Sequence, residues 1–203
     1  MTTTANAYNL IDWNIVKAEL GHEDAVTGDD DIITRCTNAA TDFIESWCRR
    51  RLLKRSTAVV EYHDGNGGSV LSPLQFPIET AADIVSIYDD PYRAFGADSL
   101  IAATDYYLHQ DGRDICLSEW SGPGVFRIGR QSVKLTYKPG FTAAPSDLAR
   151  ACLMVAIDFY HLTDKQKQII AAQSMEGQSI SYRDYRIHPT AEEILKQYKR
   201  RSC

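Results

Sequence analysis

The sequence has no apolar stretch near the roughly 20 residues that cross a bilayer, and Met1 to Leu10 carries neither the basic nor the apolar segment of an export signal. A membrane-bound or exported chain is not expected. Its five cysteines, Cys36, Cys48, Cys116, Cys152 and Cys203, are odd in number and include no Cys-x-x-Cys pair, which argues against a zinc ribbon or a disulfide framework. They are expected as reduced, mostly buried thiols. Cys36 and Cys48 fall on one predicted helix about 18 Å apart, beyond disulfide reach. A basic excess is also missing: 22 Lys and Arg face 27 Asp and Glu, for a net charge of -5. Without a summed positive field the chain should not coat nucleic acid or an anionic membrane, so contact with DNA should be local and weak.

What remains is an ordinary globular composition, 44% hydrophobic and 24% charged over 203 residues, long enough to bury a core and short enough for one domain with an insertion. Leu10 to Leu20 predicts a short helix with Ile11, Ile15 or Val16, and Leu20 at helical spacing, stopped by Gly21. A stronger helix follows Thr27-Gly28. Asp29, Asp30 and Asp31 suit its N-terminus, Ile32, Cys36, Ala39 or Ala40, Phe43 and Trp47 form its apolar stripe, and the cations from Arg49 to Arg55 complement its C-terminal dipole.

From Thr57 to Tyr137 the period becomes alternating. Thr57 to His63, a turn at Asp64-Gly65-Asn66-Gly67-Gly68, and Val70-Leu71 predict a hairpin. Ile84 to Tyr88 is a further strand. Asp111-Gly112 is a hairpin turn between Tyr106-Tyr107-Leu108 and Ile115-Cys116-Leu117. Val133, Leu135 and Tyr137 share one face of a last strand, ended by Pro139-Gly140.

Pro145-Ser146-Asp147 then starts a helix, Leu148 to Leu162, that is apolar almost all round and therefore expected to be buried on several sides. Lys165 to Glu176 is expected to continue as helix, Ser179 to Ile187 alternates, and Thr190-Ala191-Glu192-Glu193 predicts a capping box opening a final helix. The order of helices, strands and helices predicts an α+β fold: a small helical bundle built from N-terminal (10–55) and C-terminal (146–203) helices, with a central β-hairpin-rich insertion (57–137), all in a single domain, 1–203.

Chemistry is sparse. His22, His63, His109, His161 and His188 form no metal-binding spacing. Gly65-Asn66-Gly67-Gly68 lacks the third glycine and the helix of a dinucleotide loop, no Gly-Lys-Ser/Thr phosphate loop occurs, and Gly177-Gln178-Ser179-Ile180-Ser181 falls one residue short of a nucleophile elbow. Asp158 with His161, or His109 with Asp111, are the acid–base pairs on which a small hydrolase or nucleic-acid-processing enzyme would depend. No catalytic residue, metal or cofactor is expected.

Charge is more informative. Met1 to Cys48 holds nine acids and two bases, whereas Arg49 to Arg55 adds five bases, Arg49, Arg50, Arg51, Lys54 and Arg55, and the C-terminus clusters Lys196, Lys199, Arg200 and Arg201. Such polarity suits head-to-tail association of copies, or phosphate contacts without sequence readout. Tyr182, Arg183, Tyr185 and Arg186 interleave aromatic and basic residues and are expected at a subunit interface.

Three segments, DDDIITRCTNAATDFIESWCRRRLL from Asp29, VKLTYKPGFTAAPSDLARACLMVAIDFYHL from Val133, and the terminal LKQYKRR, together resemble the head-tail connector (adaptor, head-completion) proteins of tailed bacteriophages. The strongest part is Val133-x-x-x-Tyr137-x-x-Gly140-Phe141 followed by Pro145-x-Asp147-Leu148, and the resemblance runs from about Asp29 onward. It implies a structural, non-enzymatic virion protein whose copies form a twelve-fold ring under the portal protein at the head-tail junction, assembled in the bacterial cytoplasm. A tail-completion or stopper protein docks on the other side, and genomic DNA passes through the lumen without sequence recognition. Arg49, Arg50, Arg51, Lys54, Arg55, Lys199, Arg200 and Arg201 are then the expected contacts with a neighbour, the portal or DNA.

Overall fold

A computed structural model describes residues 3–22, 27–163, 172–175, 178–181 and 188–199. The elements are α1 (Trp13–Glu19), α2 (Asp30–Cys48), β1 (Val59–Gly65), β2 (Val70–Leu71), β3 (Ile84–Asp89), β4 (Tyr106–Leu108), β5 (Ile115–Leu117), β6 (Gly129–Tyr137), α3 (Ser146–Thr163), β7 (Ala172–Met175), β8 (Gln178–Ser181) and α4 (Pro189–Gln197). The fold is α+β, with terminal helices and a β-rich insertion. Two compact units divide it: a helical unit, up to Arg49 and again from Ala144 to Lys199, and an insertion unit, Arg50–Ala143.

In the helical unit α2 packs on α1, α3 and α4, and α3 on α1 and α4. The buried seam of α2 is Ile33, Cys36, Thr37, Ala40, Thr41, Ile44 and Cys48. It lies beside the expected stripe, because Ile32, Phe43 and Trp47 are only half-buried and Ala39 is exposed. Threonines fit this seam because their hydroxyls find partners: Thr37 Oγ1 donates 2.8 Å to Ile33 O, and Thr41 Oγ1 accepts 3.3 Å from Leu10 N. Facing it, α3 buries Leu148, Ala151, Cys152, Val155 and Ala156, small residues that let the backbones approach. Each fully buried Ile or Leu contributes about 1.5–3 kcal/mol. Cys36, Cys48, Cys116 and Cys152 are free and buried, as expected.

Helix boundaries correct several expectations. Asp12 caps α1 by accepting 2.9 Å from Asn14 N, so the helix begins at Trp13, with Val16 buried and Ile15 half exposed. The last turn of α2 holds no cation; Arg49 ends it. α3 ends at Thr163, and Ala172–Met175 pairs antiparallel with Gln178–Ser181 as a strand rather than extending the helix. α4 is capped by His188, whose side chain accepts 3.3 Å from Thr190 N, not by a box at Thr190. Pro189 decides this, since its missing N–H and fixed φ suit the first helical position.

The insertion unit contains two antiparallel three-stranded sheets, ordered β1-β6-β3 and β2-β5-β4. Val133, Leu135 and Tyr137 from one sheet and Leu71, Ile115 and Leu117 from the other enclose one core with Ile78, Ile84, Ile87, Ile101 and Phe126. The Asp111-Gly112 turn joins β4 to β5 as expected, with Gly112 at φ 65°. The β1–β2 hairpin does not form. β1 pairs with β6, with Gly65 opposite Gly129, and β2 pairs with β5, so the glycine-rich loop carries the chain from one sheet to the other. Gly65 is required there by close approach: a Cβ would sit 1.8 Å from Arg127 O.

Entry to and exit from this unit run side by side. Lys54 N donates 2.9 Å to Phe141 O, and Phe141 N donates 2.8 Å to Leu52 O. Gly140, at φ 113°, permits this, since a Cβ would lie 2.7 Å from Leu53 C.

Candidate interaction surface at one end of the helical unit

The C-termini of α2 and α4 and the N-terminus of α3 meet at one end of the helical unit. Cys48 Sγ lies 3.9 Å from Leu195 O. Tyr198 Oη donates to both carboxylate oxygens of Asp147, at 2.7 and 2.8 Å. Lys199 Nζ stands 5.0 Å from the centre of the Trp47 ring, a cation–π contact. Arg49 closes α2 in the left-handed region, φ 56° and ψ 35°, its N–H directed to Glu45 O and Ser46 O. For a residue with a Cβ that conformation costs about 1–2 kcal/mol, and it directs an exposed arginine outward where glycine is the usual choice. Two basic segments far apart in sequence thus place Arg49 and Lys199 at the same end. There the partial negative charge of two helix C-termini favours cations, while Asp147 suits the N-terminus of α3.

The rest of the first basic cluster lies in the insertion unit. Arg50 belongs to the insertion unit and is buried, 5% exposed. Its guanidinium donates to Phe76 O and stacks 4.1 Å from the centre of the Phe76 ring. The expectation that Arg50 meets a neighbour, portal or DNA is therefore corrected: its side chain is spent inside its own unit. Arg51 donates 2.9 Å to Thr57 O, while its backbone N–H meets Gln75 Oε1 at 3.0 Å. Lys54 Nζ is held by Asp83 at 2.9 Å and Glu79 at 3.2 Å, and Glu79 also accepts from the backbone and hydroxyl of Thr142. Burial opposes the Lys54 charge, but its bonds to Asp83 and Glu79 prevail and raise its pKa. Burial likewise pushes Glu79 and Asp83 up, and is outweighed by Thr142 and Lys54 for the first and by Lys54 and Thr80 for the second, so both end lowered. Arg55 is half-buried. Arg200, Arg201, Tyr182, Arg183, Tyr185 and Arg186 lie outside the described residues.

The His109–Asp111 pair has a local explanation. His109 Nδ1 is 3.1 Å from Asp111 Oδ1, both exposed, and the same oxygen accepts 3.0 Å from Arg113 N. The Arg113 backbone, then His109, hold the Asp111 carboxyl below its usual range, as a turn-stabilising aspartate requires. Asp158 and His161 are half-buried on α3. Among the described residues no group of three or more His, Cys, Asp or Glu could hold a metal ion, and no helix is long and apolar enough to cross a membrane.

Pattern reading missed the principal buried polar network. Tyr137 Oη donates 2.8 Å to Glu61 Oε1, and Leu74 N donates 2.9 Å to Oε2, which also faces His63 Nε2 at 3.2 Å. Burial pushes Glu61 up, but these bonds outweigh it and its pKa is lowered. Glu61 on the inward face of an alternating strand was the available signal.

A family model described as Head completion protein matches residues 9–201. No curated protein matches the sequence. Among solved structures, a chain from the neck of an empty GTA particle computed with C6 symmetry is similar at 15% identity and TM-score 0.60, covering 100% of this chain and 96% of its own. A chain of the virion of a native gene transfer agent (GTA) particle gives 17% identity and TM-score 0.59, over 100% and 96%. One from the neck of a native GTA particle computed with C12 symmetry gives 17% and 0.55, with the same coverage.

Proposed function

This chain belongs to the head completion protein family, and from that premise we propose that it is a structural, non-enzymatic subunit of the head-tail junction of a phage-like virion. Copies form a ring, twelve-fold like the C12 neck containing a similar chain, beneath the portal. The ring extends the DNA channel and presents a docking surface to a tail-completion or stopper protein. Helical unit and insertion act together as one subunit.

The observation that carries this reading is the likeness of the whole chain, helices and insertion in one order, to a chain of a particle neck. The basic end supplies contacts: Arg49 and Lys199, with Arg200 and Arg201 following, face portal, neighbour or the phosphates of passing DNA, as do the remaining accessible bases Arg51, Lys54 and Arg55. Tyr182, Arg183, Tyr185 and Arg186 contribute to the subunit interface. A net charge of -5 suits a conduit, which must not hold DNA tightly.

Negative-stain microscopy of the protein alone and mixed with its portal tests this. Annular particles with twelve-fold class averages, stacked on the portal, are expected. An unchanged portal beside free monomers overturns the reading.

A further inference from the structure

The insertion unit turns an apolar face outward from each of its two sheets. On β1-β6-β3, Val60 and Tyr62 alternate with the core and are 48% and 50% exposed, and Val85, at the irregularity between Ile84 and Ser86, is 57% exposed. The loop after β3 adds Phe95 to them, with ring centres 5.7 Å from Tyr62 and 6.5 Å from Tyr88. This placement is built. Asp90 accepts from the backbone N–H groups of Tyr92, Ala94 and Phe95 at 2.8, 2.7 and 2.8 Å, while Arg93 and Phe95 sit at φ 61° and 50°. Such positive φ values are unfavourable for these residue types. Lys134 Nζ lies 5.6 Å from both the Tyr88 and Phe95 ring centres, placing a cation beside these rings.

On β2-β5-β4 the outward residues are Val70 and Tyr107, 48% and 56% exposed, across Cys116. Glu119, two residues past the end of β5, is exposed. The Tyr107 hydroxyl, beside the Cys116 sulfur and within the field of Glu119, is raised in pKa. Trp120, next along the chain, is 97% exposed.

The two sheets share one core, so each of these faces is turned away from that core. Two unlike patches, one carrying Lys134 and the other flanked by Glu119, are what head-to-tail association of identical copies requires, whereas a single foreign partner needs only one. We propose that the Tyr62–Phe95 face of one copy, with Lys134, packs against the Tyr107 face of the next, with Glu119. The proposal rests on the ring reading and deepens it by naming the surfaces that join the subunits.

Mixing two blocked chains tests it, using Tyr62→Glu and Tyr107→Glu in the full-length protein, with circular dichroism checking that each is folded. In sedimentation velocity the wild type should form a closed ring. Each variant alone should stay monomeric, its self-association weakened on the order of a hundredfold or more by a charge placed in an apolar contact. Their equimolar mixture should stop at a dimer, since only one intact pair of faces remains. Lys134→Glu should weaken assembly and Glu119→Lys in the same chain should restore it, a readout that does not depend on the glutamates at Tyr62 and Tyr107. Single variants that form rings as the wild type does overturn the proposed faces and leave the ring reading standing. A wild type that stays monomeric at all concentrations also overturns them, and portal mixing then decides the ring reading separately.

Discussion

The Tyr198 hydroxyl lies 2.7 and 2.8 Å from the two carboxylate oxygens of Asp147, tying the end of α4 to the start of α3 across the basic end of the helical unit. Asp147 also accepts 2.8 Å from Leu148 N, so it remains partly satisfied if the tyrosine is lost. Tyr198→Phe should therefore cost about 1.5–3 kcal/mol, the range for a hydrogen bond to a charged group. Hydrogen exchange should show α4 losing protection ahead of α2. Unchanged protection would mean that the helix is held by Ala191 and Leu195 alone.

Arg49 and Arg50 are adjacent in sequence and opposite in consequence. Arg49→Gly removes an exposed charge and relieves a left-handed arginine, so the melting temperature should hold or rise, by up to about 1 kcal/mol in stability. Binding to the portal should weaken, and further with Lys199→Glu. Arg50→Ala removes a buried guanidinium from Phe76 and should lower stability by about 1–3 kcal/mol, seen as a lower melting temperature. Differential scanning fluorimetry with portal pull-down separates the two effects; an Arg49→Gly chain that melts early and binds normally contradicts both assignments.

Gly140→Ala should destabilise the insertion unit. At φ 113° with Leu53 C only 2.7 Å from a new Cβ, the neighbour is backbone and cannot swing aside. A loss of about 2 kcal/mol or more is expected from strain and clash together, measured as a lower urea midpoint. An unshifted midpoint would mean that the entry and exit segments separate without cost.

Local patterns were legible and distant pairings were not. Val133, Leu135 and Tyr137 announced a one-sided strand because alternation is a property of the strand itself, and Asp111-Gly112 announced its turn for the same reason. Gly65 looked like part of a hairpin turn, yet its reason is an approach to Arg127 and pairing with β6, information held some sixty residues away. On α2, bulky Ile32, Phe43 and Trp47 drew the expected stripe, while the true seam uses threonines whose hydroxyls are satisfied only after folding. The run from Arg49 to Arg55 reads as one basic cluster; Arg49, left-handed at the end of α2, is exposed, and the Phe76 ring takes up Arg50. The motif behind the family resemblance now has physical content. Tyr137 donates to a buried carboxylate, Gly140 allows two segments to touch, and Asp147 receives Tyr198.

Two buried carboxylates in the insertion unit should give stability opposite dependences on acid pH. Glu61 has its pKa lowered: burial pushes it up, but His63, Leu74 N–H and Tyr137 outweigh that. Its contribution is therefore full above the ordinary glutamate value, about 4.3, and is lost as pH falls through the lower folded value. Asp89, 4% exposed, is raised by burial and by neighbouring Asp90 against the opposing bond from Arg127 N. The folded state thus holds that proton more tightly, and its contribution, present below the ordinary aspartate value of about 3.9, is lost as pH rises through the higher folded value. Asp89→Asn can still accept from Arg127 N, 2.9 Å away, without burying a charge, so it should stabilise the protein at pH 7 and lose that advantage toward pH 3. Glu61→Gln should cost about 1–3 kcal/mol at pH 7, because Tyr137 and Leu74 lose a charged acceptor, and the deficit should shrink in acid. Urea titrations of the three chains between pH 3 and 7 check both signs, and an Asp89→Asn chain less stable than wild type at pH 7 would show that the ionised carboxylate is needed where it lies.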